Sequence, residues 1–151
     1  MDGAGELHVA VPRRAGNRLR QPGQHGHGVH RVAAPGGDRT QITFHEEPVA
    51  NAQAIPGEDR FLYSRDTGGD EWFQLYVRNL GGGETRQLTE PGTRNQSAVV
   101  SKDGRLVLWS RATRGSPDYA ILAADPNDPG LRERVYQLEH GARSSIAFVS
   151  A

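Results

Sequence analysis

Short runs in which apolar and polar residues alternate, separated by clusters of glycine, proline and acidic residues, fill most of this chain. A period of two over runs this short predicts half-buried β-strands. The clearest set lies at residues 49–55, 60–65, 72–77 and 85–89. A second set follows in the same order at 96–100, 105–110, 118–123 and 132–138. Two strands of an earlier set are predicted at 29–32 and 39–44, a further one starts at 145–149, and Leu7-His8-Val9-Ala10-Val11 alternates well enough for one more. The intervening segments carry turn chemistry, with Pro56-Gly57-Glu58-Asp59, Lys102-Asp103-Gly104 and Asp125-Pro126-Asn127-Asp128-Pro129-Gly130 as the strongest examples. No stretch has the 3.6-residue period of a useful amphipathic helix. The segment at 133–140 comes nearest, and its β-branched and aromatic residues favour a strand.

The two sets are in register at a spacing of 46 residues. Gln41-Ile42-Thr43 recurs as Gln87-Leu88-Thr89, Ser64-Arg65 as Ser110-Arg111, and Gly36-Gly37 as Gly82-Gly83. Leu62 matches Leu108, and Val29, Leu75 and Ile121 form one column. Four short strands per repeat at this period predict an all-β chain built as a partial β-propeller, with two full four-stranded blades plus partial blades at each end. Such blades bury apolar surface only against their neighbours. An incomplete ring is therefore expected to depend on remaining blades or on another chain.

Composition narrows the function. Hydrophobic residues make up 35 % of the chain, with 19 glycines and 9 prolines, as suits a turn-rich β-protein. A formal net charge of zero argues against a nucleic-acid or membrane-surface partner. No cysteine is present, so disulfides and thiolate metal sites are excluded. No sustained apolar segment precedes residue 12, which makes the cytoplasm the expected compartment. Residues 1–28 read as a separate tail, disordered or mis-framed. Their Arg, Gly, Pro and His mixture resembles GC-rich codons read out of frame. The propeller fragment is assigned to 29–151.

Within that fragment the order of short motifs is informative. Phe61-Leu62-Tyr63-Ser64-Arg65-Asp66-Thr67-Gly68-Gly69-Asp70-Glu71 leads to Gln74-Leu75-Tyr76, then Gln87-Leu88-Thr89, then Arg94-Asn95. This order closely resembles the propeller half of prolyl-oligopeptidase-family serine peptidases, in the dipeptidyl and acylaminoacyl branch. A looser resemblance is to TolB-type propellers, which bind protein partners. The first resemblance implies a propeller that limits which peptide substrates reach a catalytic α/β-hydrolase domain. That domain would be the natural partner of this chain, together with the remaining blades.

The chain carries no catalytic constellation of its own. The Gly-x-Ser-x-Gly turn of an α/β-hydrolase nucleophile does not occur. Ser116 and Ser144-Ser145 lack the second glycine, and neither His45 nor His140 is paired with a nucleophile by spacing. His25 and His27 would face one side of an extended segment. Two such ligands in a glycine-rich tail do not make a structural metal site, so no metal and no cofactor are expected. The remaining candidates are charged. Asp66, Asp70 and Glu71 crowd one loop suited to a cation or a substrate amine, or else hydrogen-bonded to its own backbone. Arg94 is either a channel-lining charge or a salt-bridge partner between blades. The aromatic residues Phe61, Tyr63, Trp72, Phe73, Tyr76, Trp109 and Tyr119 are expected in the core between blades.

Overall fold

A computed structural model of the chain describes residues 7–9, 28–32, 36–45, 47–117 and 119–138, with the backbone alone at 7–9 and 129–138. All regular structure among the described residues is β. Eleven strands form three antiparallel sheets. β1 (Leu7–Val9), β2 (Val29–Val32) and β3 (Arg39–Gln41) form the first, in that order. The second is β4 (Val49–Ala54), β5 (Arg60–Arg65), β6 (Gln74–Asn79) and β7 (Thr85–Gln87). The third is β8 (Thr93–Val100), β9 (Val107–Thr113), β10 (Tyr119–Asp125) and β11 (Asp128–Leu138). Each four-stranded sheet is an uninterrupted meander, which is the build of a propeller blade. No helix among the described residues is long and apolar enough to cross a membrane. The strand expected at 145–149 lies outside the described residues.

Alternation along the strands creates two interfaces. Phe61 and Tyr63 of β5 point to the first sheet and join Val49 and Val29 in one core cluster. Leu62 of β5, with Leu75 and Val77 of β6, points the opposite way, as a period of two requires. These residues pack with Val107 and Trp109 of β9 and with Ala120, Leu122 and Ala124 of β10. The middle blade therefore buries apolar residues on both faces at β5, where the Phe61-Leu62-Tyr63 run lacks the polar-out pattern of a one-sided sheet.

The 46-residue register reappears as recurring hydrogen bonds. β7 stops at Gln87, and the Leu88 N–H still donates to the Leu75 carbonyl at 2.8 Å. The Leu75 N–H then donates to Thr89 Oγ1 at 3.0 Å, so a hydroxyl replaces the missing strand acceptor. Gln87 Nε2 donates to the Thr89 carbonyl at 2.8 Å and holds the turn. One repeat earlier the Ile42 N–H donates to the Val29 carbonyl at 2.8 Å. There the Val29 N–H donates to Thr43 Oγ1 at 2.7 Å, and Gln41 Nε2 donates to the Thr43 carbonyl at 2.8 Å. Gln-x-Thr is thus a device for ending the fourth strand while leaving no buried amide of the third unpaired.

Several boundaries differ from the sequence reading, each for a local reason. β6 starts at Gln74, not Trp72, because side chains capture the amides before it. Glu71 N–H donates to Asp66 Oδ2 at 3.0 Å and Trp72 N–H to Asp70 Oδ1 at 2.9 Å. β9 starts at Val107, because the Arg105 N–H goes to Asp103 Oδ1 (3.1 Å) and the Leu106 N–H to Ser101 Oγ (2.9 Å). At its other end β9 runs on to Thr113, paired on both sides with β8 and β10. The proline-rich turn contracts around Pro126 and Asn127, with Asp125 paired to Asp128. Pro129 is tolerated because β11 is an edge strand.

The second and third blades are also joined by polar contacts. Gln53 of β4 reaches β8, where Nε2 donates to the Ala98 carbonyl at 2.6 Å and Oε1 accepts the Val100 N–H at 3.2 Å. The turn after β10 is held by Arg86, which donates to the Asn127 carbonyl at 3.2 Å, and by Arg60, which bonds both Glu58 and Asn127. Gly104 lies so close to Pro56 that a Cβ there would sit 2.3 Å from the proline carbonyl oxygen, and its φ is +73°.

Candidate functional site

The acidic loop joins β5 to β6. Asp66 is buried at 6 % exposure, and its carboxylate is spent on the Glu71 amide. Asp70 likewise serves the Trp72 amide. These two carboxylates shape the loop, as Asp side chains do in turns. Glu71 has a different role. Its φ is +60°, a left-handed value that a residue with a Cβ rarely adopts. Its carboxylate is mostly exposed, and Arg94 of β8 lies across from it at 3.4 Å. The structure therefore brings Asp66, Asp70, Glu71 and Arg94 to one end of the junction between two blades, with only the Glu71–Arg94 pair directed away from the backbone. Among the described residues no group of three or more His, Asp or Glu side chains converges as a metal site would require.

The neighbouring residues fix this junction. Asn95, 1 % exposed, donates from its backbone N–H (3.1 Å) and from Nδ2 (3.0 Å) to the Phe73 carbonyl. Gln74 accepts from Thr89 Oγ1 at 2.7 Å and donates to the Thr93 carbonyl at 2.6 Å. The Arg94-Asn95 pair of the sequence is thus divided, with Asn95 locking the blades together and Arg94 facing outward. Beside it a cleft of about 170 Å³ opens between β4 and β8, lined by Asn51, Ser64, Phe73, Gln96 and Ser97 among others. Ser97, at φ +54°, sits in a bulge of β8. The bulge turns this strand where it borders the cleft.

Trp72 does not enter the core as expected. It is half-buried, and the Arg114 guanidinium covers its ring at 4.3 Å from the centroid. Phe73 and Tyr119 are also only half-buried, whereas Phe61, Tyr63 and Trp109 are fully buried.

A second polar cluster lies between the first sheet and the second. His45 stacks on Tyr63 (centroids 5.5 Å apart), Tyr63 stacks on Tyr76 (5.3 Å), and Arg65 covers Tyr76 at 4.9 Å. His45 Nε2 and the Tyr63 hydroxyl share a hydrogen bond of 3.1 Å, and Glu47 pairs with Arg65 at 3.4 Å. Burial, reinforced by Arg65 and Arg78, holds the His45 imidazole below its ordinary pKa. Burial raises that of the Tyr63 hydroxyl. The sequence reading left His45 without a partner. The alternation of Phe61 and Tyr63 placed Tyr63 on this face, but the loop that returns His45 to it has no periodicity to read.

No family model matches the chain, and no characterised protein matches it in sequence. Solved structures do. One is an oligogalacturonate lyase in complex with manganese, with a TM-score of 0.63 at 19 % identity, over 75 % of this chain and 32 % of that one. Another comes from a structural and mechanistic analysis of two prolyl endopeptidases, with a TM-score of 0.47 at 20 % identity, over 62 % of this chain and 14 % of that one. The chain thus spans well under half the length of either neighbour, and the first likeness, together with the meandering sheets, establishes an all-β, partial-propeller fold.

Proposed function

We propose that this chain is a non-catalytic propeller segment of a prolyl-oligopeptidase-like serine peptidase, working in the cytoplasm as scaffold and substrate gate for an α/β-hydrolase domain. One observation carries the reading: the motif order that resembles this family folds into a braced loop ending in an outward-facing Glu71–Arg94 pair. Asp66 and Asp70 position the loop. Glu71 and Arg94 are the groups available to a peptide's charged termini, and the blade junction is where such a peptide would pass. The chain itself has no Gly-x-Ser-x-Gly nucleophile turn, so catalysis belongs to the partner domain.

The test is to determine the coding sequence flanking this segment and to treat the purified chain with a fluorophosphonate serine-hydrolase probe. An in-frame Gly-x-Ser-x-Gly domain after the blades, with no labelling of the chain alone, is the expected result. A frame that closes without a hydrolase domain would overturn the reading and favour a stand-alone TolB-like module for a protein partner. Labelling of the chain itself would place catalysis within it and also refute the proposal.

A further inference from the structure

The cleft between β4 and β8 has no charged side chain in its lining. Asn51 and Ser64 reach it from the second sheet, and they are cross-strand partners, so their side chains stand on one face. Gln96 and Ser97 reach it from the third sheet, and Phe73, only half-buried, supplies an apolar wall. Among the described residues, none of the Asn51, Ser64, Gln96 and Ser97 side chains is spent on an internal hydrogen bond. Asn95 also lines the cleft and is 1 % exposed. Its Nδ2 is committed to the Phe73 carbonyl and to Thr93 Oγ1, whereas its Oδ1 is buried with no partner. A folded protein rarely leaves a buried acceptor unpaired, so this one calls for a donor from outside the chain.

The lining selects among ligands. A charged group would be desolvated there without a counter-ion. An extended peptide added to a sheet edge needs evenly spaced backbone partners. Both edges are broken at the cleft: β4 skips Ala50 in its pairing with β5, and β8 bulges between Gln96 and Val99, with Ser97 at φ +54°. What remains is a set of amides and hydroxyls that both donate and accept, beside one aromatic wall, and sugar hydroxyls have the same dual character. We infer that this cleft is a subsite for one uncharged sugar ring. Its volume of about 170 Å³ equals that of about five or six liquid waters, enough for a single six-membered ring. The C–H face of the ring packs on Phe73, and its hydroxyls pair with the free side chains and with Asn95 Oδ1. The inference rests on the cleft alone and holds or fails independently of any peptidase partner.

Amide NMR spectra of the unaltered chain, titrated with the methyl glycosides of glucose, galactose and mannose, provide the test. At least one glycoside should give saturable shifts confined to the amides of 51, 64, 73 and 95–98, with a millimolar dissociation constant. The uronate of the same sugar should bind at least tenfold more weakly, and N-acetylglycine N-methylamide, an uncharged peptide unit, should leave these amides unmoved. Ser97→Gly deletes one hydroxyl at a backbone position that glycine occupies without strain. It should weaken sugar binding at least threefold while its urea midpoint is no lower than the parent's. Absence of saturable shifts with all three glycosides overturns the proposal, as does equal or tighter binding of the uronate or of the peptide unit. Shifts spread over the whole chain, or a Ser97→Gly variant that binds as tightly as the parent, overturn it as well.

Discussion

Thr89 ends a strand with a hydroxyl, and removing that hydroxyl isolates one interaction. Thr89→Val keeps the shape and β-branching of the side chain. It leaves the buried Leu75 N–H without its 3.0 Å acceptor and Gln74 Oε1 without its 2.7 Å donor. Thr89 is 3 % exposed, so water has little access to compensate. Losing a hydrogen bond while leaving a buried donor unpaired costs about 1–3 kcal/mol. With a urea dependence of about 1–3 kcal/mol per molar, the unfolding midpoint should fall by roughly 1 M. Trp109, at 0 % exposure, is a built-in fluorescence reporter of the transition. Thr43→Val breaks the equivalent 2.7 Å bond from the Val29 N–H at a site that is also fully buried. Thr43→Val should also destabilise, by somewhat less, because Gly28 stands where Gln74 does one repeat later and offers no Oε1 acceptor. A midpoint within measurement error of the parent for Thr89→Val would refute the claim that this hydroxyl substitutes for a strand residue. A large loss at one site and none at the other would refute the equivalence of the repeats.

Other perturbations test separate parts of the structure. Gly104→Ala combines a left-handed φ with a Cβ 2.3 Å from the Pro56 carbonyl, and should destabilise by about 2 kcal/mol or more in the same urea titration. Gln53→Ala removes both of its bonds to β8 and should cost about 1–3 kcal/mol, with faster hydrogen exchange at Val100 as the local signature. Arg94→Ala should change stability by less than about 1 kcal/mol, because its partner Glu71 is largely exposed. A larger loss would make Arg94 a tie between blades and not an available charge. His45, whose folded pKa lies below the ordinary 6.5, contributes stability that is complete above that value and is lost as pH falls through the folded pKa. The parent should accordingly lose more stability than His45→Gln between pH 7.5 and pH 5, and equal losses would exclude the imidazole as the cause.

Strand order and blade faces were legible because they depend on residue type at period two, and the alternation of Phe61, Leu62 and Tyr63 specifies both interfaces. The 46-residue register was legible for a related reason: Gln87 and Thr89 occupy a position where backbone geometry demands a short hydroxyl and a flexible amide. Ends of strands were read less well. At Trp72 and Arg105 the residues suit a strand, but Asp70 and Asp103 capture the backbone amides, and this competition depends on loop geometry that the sequence pattern does not encode. Alternation along the strand places Trp72 in the core. A guanidinium from the loop after β9 covers it instead, a contact between segments about 40 residues apart with no local signal.

The candidate site shows the same division. That Asp66, Asp70 and Glu71 share a loop is evident from their spacing, but their unequal roles are not. A carboxylate that accepts a backbone amide is committed to the fold, and substituting it would disturb the loop before it disturbed any ligand. Glu71 differs because its amide is the donor to Asp66 and its own side chain is left over. The left-handed backbone at Glu71 then follows from the tight return of the loop to β6, and it directs that carboxylate across the blade junction toward Arg94. Function at this loop is therefore best sought in the one acidic residue that the loop does not use to hold itself together.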